Sequence, residues 1–171
     1  MNKLYIIILL LGVLFSCKKD ESTLLTPTDT FVKYYGGSFD NDANQLVETS
    51  DGGFIIAGKT ETSSGLNSML VIKVSANGNQ EWSKTFSNEH EEEAKSIIPG
   101  INGGFLIASN QTDAEENQTI FLTQIGSSGS INWRKDYFLN DSTAVEKVIA
   151  TANNEYLMIC NTTKYDATNS N

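Results

Sequence analysis

The chain has 171 residues, with 21 acidic and 12 basic side chains and a formal net charge of −9 at pH 7. This balance disfavours nucleic acid and anionic membrane surfaces as partners, because both repel an acidic protein. A hydrophobic content of 39% is too high for a disordered chain, and two cysteines are too few for a disulfide framework, so we expect a globular domain stabilised by its own core.

The N-terminal residues have the layout of a secretory signal peptide. Lys3 supplies a positive charge, and residues 4–15 form an almost unbroken apolar run. This run is shorter than the ~20 residues of a membrane-spanning helix. A short apolar run after a positive start is typical of a signal peptide. We therefore expect residues 1–16 to be a signal peptide that is removed on export.

Cys17 ends the stretch Leu-Phe-Ser-Cys, which resembles the lipobox of bacterial lipoproteins. The resemblance implies cleavage before Cys17 and a lipid on that residue, which would anchor the protein to a membrane. An ordinary signal peptide followed by an incidental cysteine is the alternative. Residues 17–21 also resemble the export signal of some Gram-negative surface lipoproteins, which implies the outer membrane and the cell exterior. Residues 17–30 are polar and are expected to form a tether before the folded domain.

The rest of the chain contains an internal repeat of 51 residues. SDGGFIIAG at 50–58 recurs as INGGFLIAS at 101–109, and NNEYLMIC at 153–160 keeps the apolar run without the glycines. FVKYY at 31–35 matches the five residues that begin at each tryptophan. Pairs at the same spacing are Gly53 and Gly104, Gly78 and Gly129, and Trp82 and Trp133. A repeat of this length indicates a solenoid, a propeller or an array.

Each copy of the repeat predicts four short strands. In the second copy they are residues 94–98, 105–109, 119–125 and 131–138. Turns rich in glycine, asparagine and serine separate them, and a polar loop is expected at 110–118. Pro99 falls outside the predicted strands, as strand pairing requires. The pattern is typical of an antiparallel four-stranded meander, and no segment has a competing helical period.

Four strands in about 50 residues are the unit of a β-propeller blade. Gly-x-x-x-Trp after a strand, at 78–82 and 129–133, resembles the tryptophan-docking motif of quinoprotein-type propellers. With the DGGF-type turn, the resemblance implies an all-β fold, a partial β-propeller of about 2.8 four-stranded antiparallel blades over residues 31–171. The glycines would serve the hairpin turns, and the tryptophans would wedge between neighbouring blades. The residues with these structural roles are Gly52, Gly53, Gly78, Trp82, Gly103, Gly104, Gly129 and Trp133.

The two candidate metal sites are weak. His90, the only histidine, lies in the acidic stretch 88–93, which we expect to be a solvated loop between blades. Residues 40–44 have the opening spacing of a calcium loop, with Asp51 at the closing position. Gln45 stands where the sharp turn needs glycine, and residues 43–48 align with the first strand of the next copy. We therefore expect no bound metal.

No catalytic or cofactor-binding arrangement is visible in the sequence either. The serines have no histidine outside the acidic stretch to act as a base. Cys160 aligns with Gly58 and Ser109 in an apolar strand, which predicts a small buried side chain. We expect no catalytic residue and no cofactor.

Two classes of function remain open. The first is a non-enzymatic surface lipoprotein whose propeller binds a protein or a glycan, and the sequence favours it. The alternative is a propeller enzyme, either a quinoprotein-like dehydrogenase or a polysaccharide-acting enzyme, with its active site in further blades. Because single-chain propellers have about four to eight blades, we expect the sequence to be the N-terminal part of a truncated chain. A short protein that closes by oligomerising is the other possibility.

Overall fold

The computed structural model describes residues 32–86, 89–138 and 143–162. The chain divides into two units, residues 1–32 and 33–171, and Val32 is the only described residue of the first. The expected signal peptide, Cys17, the tether and Phe31 therefore lie outside the described residues. All the strands below belong to the second unit.

The described residues form ten β-strands in three antiparallel sheets, which confirms the predicted all-β class. The first sheet contains β1 (Asn41–Glu48), β2 (Phe54–Glu61), β3 (Asn67–Val74) and β4 (Gln80–Phe86), in that order. The second sheet contains β5 (Glu91–Pro99), β6 (Phe105–Thr112), β7 (Gln118–Ile125) and β8 (Ile131–Tyr137), again in chain order. The third sheet pairs β9 (Thr143–Ala150) with β10 (Tyr156–Thr162). Over the same ranges no helix is long and apolar enough to span a membrane.

The second sheet begins earlier and extends further than predicted. Residues 91–93, expected in a solvated loop, are the first residues of β5 and pair with residues 110–112 of β6. The expected polar loop at 110–118 therefore begins only after Thr112. Backbone pairing accounts for this extension, because ladder hydrogen bonds do not depend on apolar side chains. Pro99, predicted to lie outside the strands, is instead the last residue of β5, where its missing N–H is tolerated at a strand end.

The hairpin turns repeat with the same geometry in all three sheets. The first turn of each sheet has a residue with positive φ, at 77° for Gly52, 87° for Gly103 and 59° for Asn154. Each of these residues donates its N–H to the carbonyl oxygen three positions earlier. Asparagine tolerates the left-handed conformation better than other non-glycine residues, because its short polar side chain fits there. The third sheet therefore keeps the turn without the glycine.

Neighbouring sheets pack face to face around two shared apolar cores. The face of the first sheet that carries Ile55 and Met69 packs against the second sheet at Ile97 and Ile107, all fully buried. The opposite face of the second sheet packs against the third sheet in the same way. The fully or nearly fully buried residues of this second core are Leu106, Ala108, Ile120, Leu122, Val145 and Val148. Each buried aliphatic side chain contributes about 1.5–3 kcal/mol relative to exposure.

Side-chain oxygen atoms of one sheet also accept hydrogen bonds from main-chain N–H groups of the next sheet. The Oε1 atom of Gln45 on β1 accepts a hydrogen bond from the N–H of Ile97 on β5, at 3.1 Å. One repeat later, the Oγ atom of Ser96 accepts from the N–H of Val148 on β9, at 3.2 Å. Both acceptors directly follow a β-bulge, at Asn44 and at Lys95. The two junctions between sheets therefore share one hydrogen-bond arrangement.

Candidate functional site

A cleft of about 580 Å³ lies between the first and second sheets, at the edge where the turns meet. This volume falls within the roughly 300–1,000 Å³ typical of small-molecule sites. The lining combines charged groups, hydroxyls, glycine turns and aromatic rings. The lining includes Glu48, Ser50, Asp51, Lys73, Glu81, Trp82, Phe105, Ser127 and Ser128.

Lys73 on β3 is the central charged group of the cleft. Its side chain is only 6% exposed, and its Nζ atom lies 3.0 and 3.2 Å from the two carboxylate oxygens of Asp51. The Oε2 atom of Glu81 lies 3.3 Å from the same Nζ atom, and the carbonyl oxygen of Val74 is also at 3.3 Å. Four oxygen atoms thus surround an ammonium group that has three N–H bonds. No N–H of Lys73 is left for a ligand.

Asp51 and Lys73 hold each other in the charged form. Hydrogen bonds from the Thr49 hydroxyl, from Lys73 and from the Gly53 amide keep the pKa of Asp51 well below its usual range. Burial lowers the pKa of Lys73, but the hydrogen bonds to Asp51 and Glu81 outweigh it and raise that pKa above its ordinary value. Both groups are therefore ionised throughout the neutral range.

Trp82 on β4 forms a wall of the cleft. Its Nε1 atom donates a hydrogen bond to the carbonyl oxygen of Ser127, at 3.1 Å. Its ring lies against Gly129, where an added Cβ atom would be 3.1 Å from the indole. This contact joins the first sheet to the turn between β7 and β8 of the second. Trp133, at the equivalent position of the second sheet, is 40% exposed.

The charged groups of the cleft have neutral counterparts one repeat later. Gln124, Asn102 and Asn132 stand 51 positions after Lys73, Asp51 and Glu81. Gln124 donates its Nε2–H to the carbonyl oxygen of Gly103 at 3.2 Å, so an amide can also bond a strand to the adjacent turn. Anchoring this turn therefore does not require charge. A position-by-position comparison of the repeats would have revealed this difference, but the sequence alone does not show that the three side chains meet.

A second polar cluster lies inside the second sheet and was missed by sequence reasoning. Glu92, 1% exposed, accepts hydrogen bonds from the Ser109 hydroxyl at 2.7 Å and from the Arg134 guanidinium at 2.9 Å. The guanidinium carbon also lies 3.8 Å from the centre of the Phe121 ring. The prediction of a solvated acidic stretch is therefore wrong for Glu92. Residues two positions apart on a strand point to the same face, so the apolar Ala94 was the signal that Glu92 lies on the buried face.

The remaining candidates from the sequence are the possible calcium loop, His90 and Cys160. Residues 41–48 form β1, which contains the strand predicted at 43–48. Asn44 donates to the carbonyl oxygen of Ala94 at 2.8 Å and to a Glu93 carboxylate oxygen at 2.7 Å. His90 is exposed, and the described ranges contain no cluster of three or more potential metal ligands. Cys160, predicted to be buried, is half-buried against the second core, and this burial raises the pKa of its thiol.

The repeat glycines lie at turns and close approaches. Gly78 and Gly129, with φ of 70° and 79°, close the turns between the third and fourth strands of the first two sheets. A Cβ atom at Gly53 would lie 2.4 Å from the carbonyl oxygen of Val74, and one at Gly104 would lie 2.1 Å from that of Ile125.

No protein-family model and no curated protein matches this chain.

Proposed function

We propose that this protein is a lipid-anchored surface β-propeller that acts as a non-enzymatic binding module for a glycan or a protein. Its binding site is the cleft between the first and second sheets. One observation carries the proposal: Lys73, Asp51 and Glu81 are charged at the cleft, whereas the equivalent residues of the second sheet are neutral amides. Because a neutral amide also bonds the turn in the second sheet, folding of this turn does not require the charges, which are available to a ligand.

The way the sheets pack supports the propeller arrangement. Each sheet buries one face against the next, and the junctions at Ile97 and Val148 use the same side chain to main chain hydrogen bond. Such radial repetition of four-stranded sheets protects strand edges in propellers. Lys33 and Tyr35 also bond the turn between β3 and β4, much as Trp82 bonds the equivalent turn of the second sheet.

The ionisation of the cleft favours binding over catalysis. A lysine nucleophile or base needs a lowered pKa and a free lone pair, but the pKa of Lys73 is raised and its N–H groups are all engaged. Asp51, with its pKa lowered, is a poor general base at neutral pH. Asp51 instead presents a fixed charge to a ligand, and Lys73 orients it.

Membrane anchoring is proposed from the sequence around Cys17 and has its own test. Cells that express the protein are grown with labelled palmitate, and the Cys17→Ala variant is compared. Label in the wild type alone supports the anchor, and equal label in both refutes it. Protease shaving of intact cells should then remove the domain, and complete protection would place it away from the cell exterior.

The binding site is tested with a variant that carries the residues of the second sheet. Asp51→Asn, Lys73→Gln and Glu81→Asn are combined, and fluorescently labelled wild type and variant are applied to glycan and peptide arrays. We expect ligands that bind the wild type and lose at least tenfold affinity for the variant, while thermal unfolding confirms that the variant is folded. Absence of any ligand, or equal binding by both proteins, contradicts the proposal.

A further inference from the structure

We infer that the cleft binds an uncharged saccharide, which lies against the Trp82 ring and donates its hydroxyls to the carboxylates of Asp51 and Glu81. This inference rests on the proposed function and names its ligand. It depends on three properties of the cleft: its charge, its free acceptor atoms and its aromatic wall.

The charge of the cleft disfavours an anionic ligand. Glu48, Asp51 and Glu81 contribute three negative charges, and Lys73 is the one basic residue in the lining. The ammonium group of Lys73 is already surrounded by four oxygen atoms. A phosphate or an acidic sugar would therefore meet carboxylates and find no free cation to bind.

The same lysine weakens the attraction of the cleft for a cationic ligand. A second ammonium group that approached Asp51 and Glu81 would lie close to Lys73, which is within 3.3 Å of both carboxylates. Like charges at such separations repel, and the carboxylates are already partly neutralised. A ligand without net charge meets neither penalty.

The free acceptor atoms suit hydroxyl donors. The side chains of Asp51 and Glu81 are 59% and 44% exposed. The Oδ1 atom of Asp51 already accepts from Thr49, Gly53 and Lys73, but Oδ2 accepts from Lys73 alone among the described residues, so it can accept a further hydrogen bond from the cleft. Carboxylates that Lys73 already orients accept charge-assisted hydrogen bonds with little further ordering. Ser50, Ser127 and Ser128 add hydroxyls that both donate and accept. Sugar hydroxyls match this mixture.

The aromatic wall supplies a flat apolar surface. The Nε1 atom of Trp82 is engaged by Ser127, and its ring is fixed against Gly129, so the indole is ordered before a ligand binds. A rigid indole offers a large contact area at little entropic cost. A pyranose ring has one face of C–H groups and a rim of hydroxyls, and the cleft places an indole beside carboxylates. This complementarity identifies the ligand class.

The test uses tryptophan fluorescence of the Trp133→Phe protein, in which Trp82 is the sole tryptophan. It is titrated with neutral gluco-, manno- and galacto-oligosaccharides, with oligogalacturonate and with oligolysine. We expect a neutral oligosaccharide to change the Trp82 emission, with an affinity that varies less than twofold between 0.05 and 0.5 M salt. Combining Asp51→Asn and Glu81→Asn with Trp133→Phe should weaken the affinity for that oligosaccharide at least tenfold.

The outcomes distinguish this inference from the proposed function. Salt-dependent binding of oligolysine or oligogalacturonate alone at Trp82 would overturn the saccharide inference and leave a binding cleft in place. A peptide from the array whose binding depends on Asp51, Lys73 and Glu81 would also overturn the saccharide inference and leave the binding cleft in place. A cleft that binds no ligand of any class would overturn both.

Discussion

The indole nitrogen of Trp82 donates a hydrogen bond to the carbonyl oxygen of Ser127, 3.1 Å away across the junction of the first two sheets. This bond fixes the ring against the turn that contains Gly129, so one side chain contributes to packing, to turn geometry and to the cleft wall. The stability of the junction is therefore sensitive to substitutions in that turn.

Gly129→Ala should destabilise the protein more than Gly65→Ala. Both glycines have nearly the same φ, 79° and 78°, so both changes introduce the roughly 1–2 kcal/mol strain of a left-handed alanine. A Cβ atom at Gly129 would also lie 2.9 Å from Lys84 Cγ and 3.1 Å from Trp82, whereas Gly65 has nothing within 4 Å. Urea unfolding should show about 1 kcal/mol more loss for Gly129→Ala. Equal losses would mean that Trp82 moves away freely.

Leu106→Ala and Leu157→Ala should differ although they occupy the same repeat position. Leu106 is fully buried between the second and third sheets, while Leu157 on β10 is 53% exposed. Truncating the buried leucine leaves a cavity and should cost about 2–5 kcal/mol. The exposed leucine should cost well under about 1 kcal/mol in the same urea titration. A large loss at Leu157 would show that another surface covers it in solution.

Glu92→Gln should destabilise the second sheet by about 3 kcal/mol, because it leaves the Arg134 guanidinium partly buried without its carboxylate. The amide still accepts from Ser109, so the loss reports mainly on the ion pair. Glu89→Gln makes the same charge change at an exposed position and should stay within about 0.5 kcal/mol. Similar unfolding midpoints for the two variants would show that the pair contributes nothing.

Thr123→Val should stabilise the protein by about 1 kcal/mol. The Thr123 side chain is fully buried, and its hydroxyl has no hydrogen-bond partner among the described residues. The equivalent residue of the first sheet is the apolar Ile72. A buried hydroxyl without a partner carries a desolvation penalty that an isosteric methyl group removes. Thr119→Val, half-exposed on the same strand, serves as the control, and a lower melting temperature for Thr123→Val would refute the argument.

Asp51 should make stability depend on pH in the acid range. Its pKa is lowered in the folded state, so its contribution is fully present above the unfolded pKa of about 3.9 and is lost as pH falls through the folded pKa. Asp51→Asn should therefore be less stable than the wild type at pH 7, and the difference should shrink below about pH 4. Urea midpoints at pH 7, 4 and 2.5 measure this. A constant difference would mean that the carboxylate charge is not involved.

The repeat made the sheets predictable because periodic turns and apolar runs depend on local sequence. Glycines spaced 51 positions apart mark the same turn, and the strand bounds follow from alternation between turns. The beginning of β5 was mispredicted at Glu92 because a run of three glutamates is ordinarily solvated. Its partner Arg134 is 42 residues away, and only the sheet brings the two together.

The cleft was not predictable for a similar reason. Asp51, Lys73 and Glu81 belong to a turn and two strands, and no local pattern joins them. Their contact depends on the register of β3 with β2 and β4, and the bulge that skips Glu81 re-aims that side chain. Sequence periodicity predicts which strands exist, but it does not predict which polar side chains converge at their ends.

The hydrogen bonds of Gln45 to Ile97 and of Ser96 to Val148 have a consequence for how such a chain grows in evolution. In each bond the donor is a main-chain N–H, which every residue except proline supplies. The first strand of the next sheet therefore needs no particular side chain at the donor position to form this hydrogen bond with the preceding sheet. Duplicating the gene segment for one 51-residue unit would insert a sheet that already meets its neighbour, without compensating mutations at this bond.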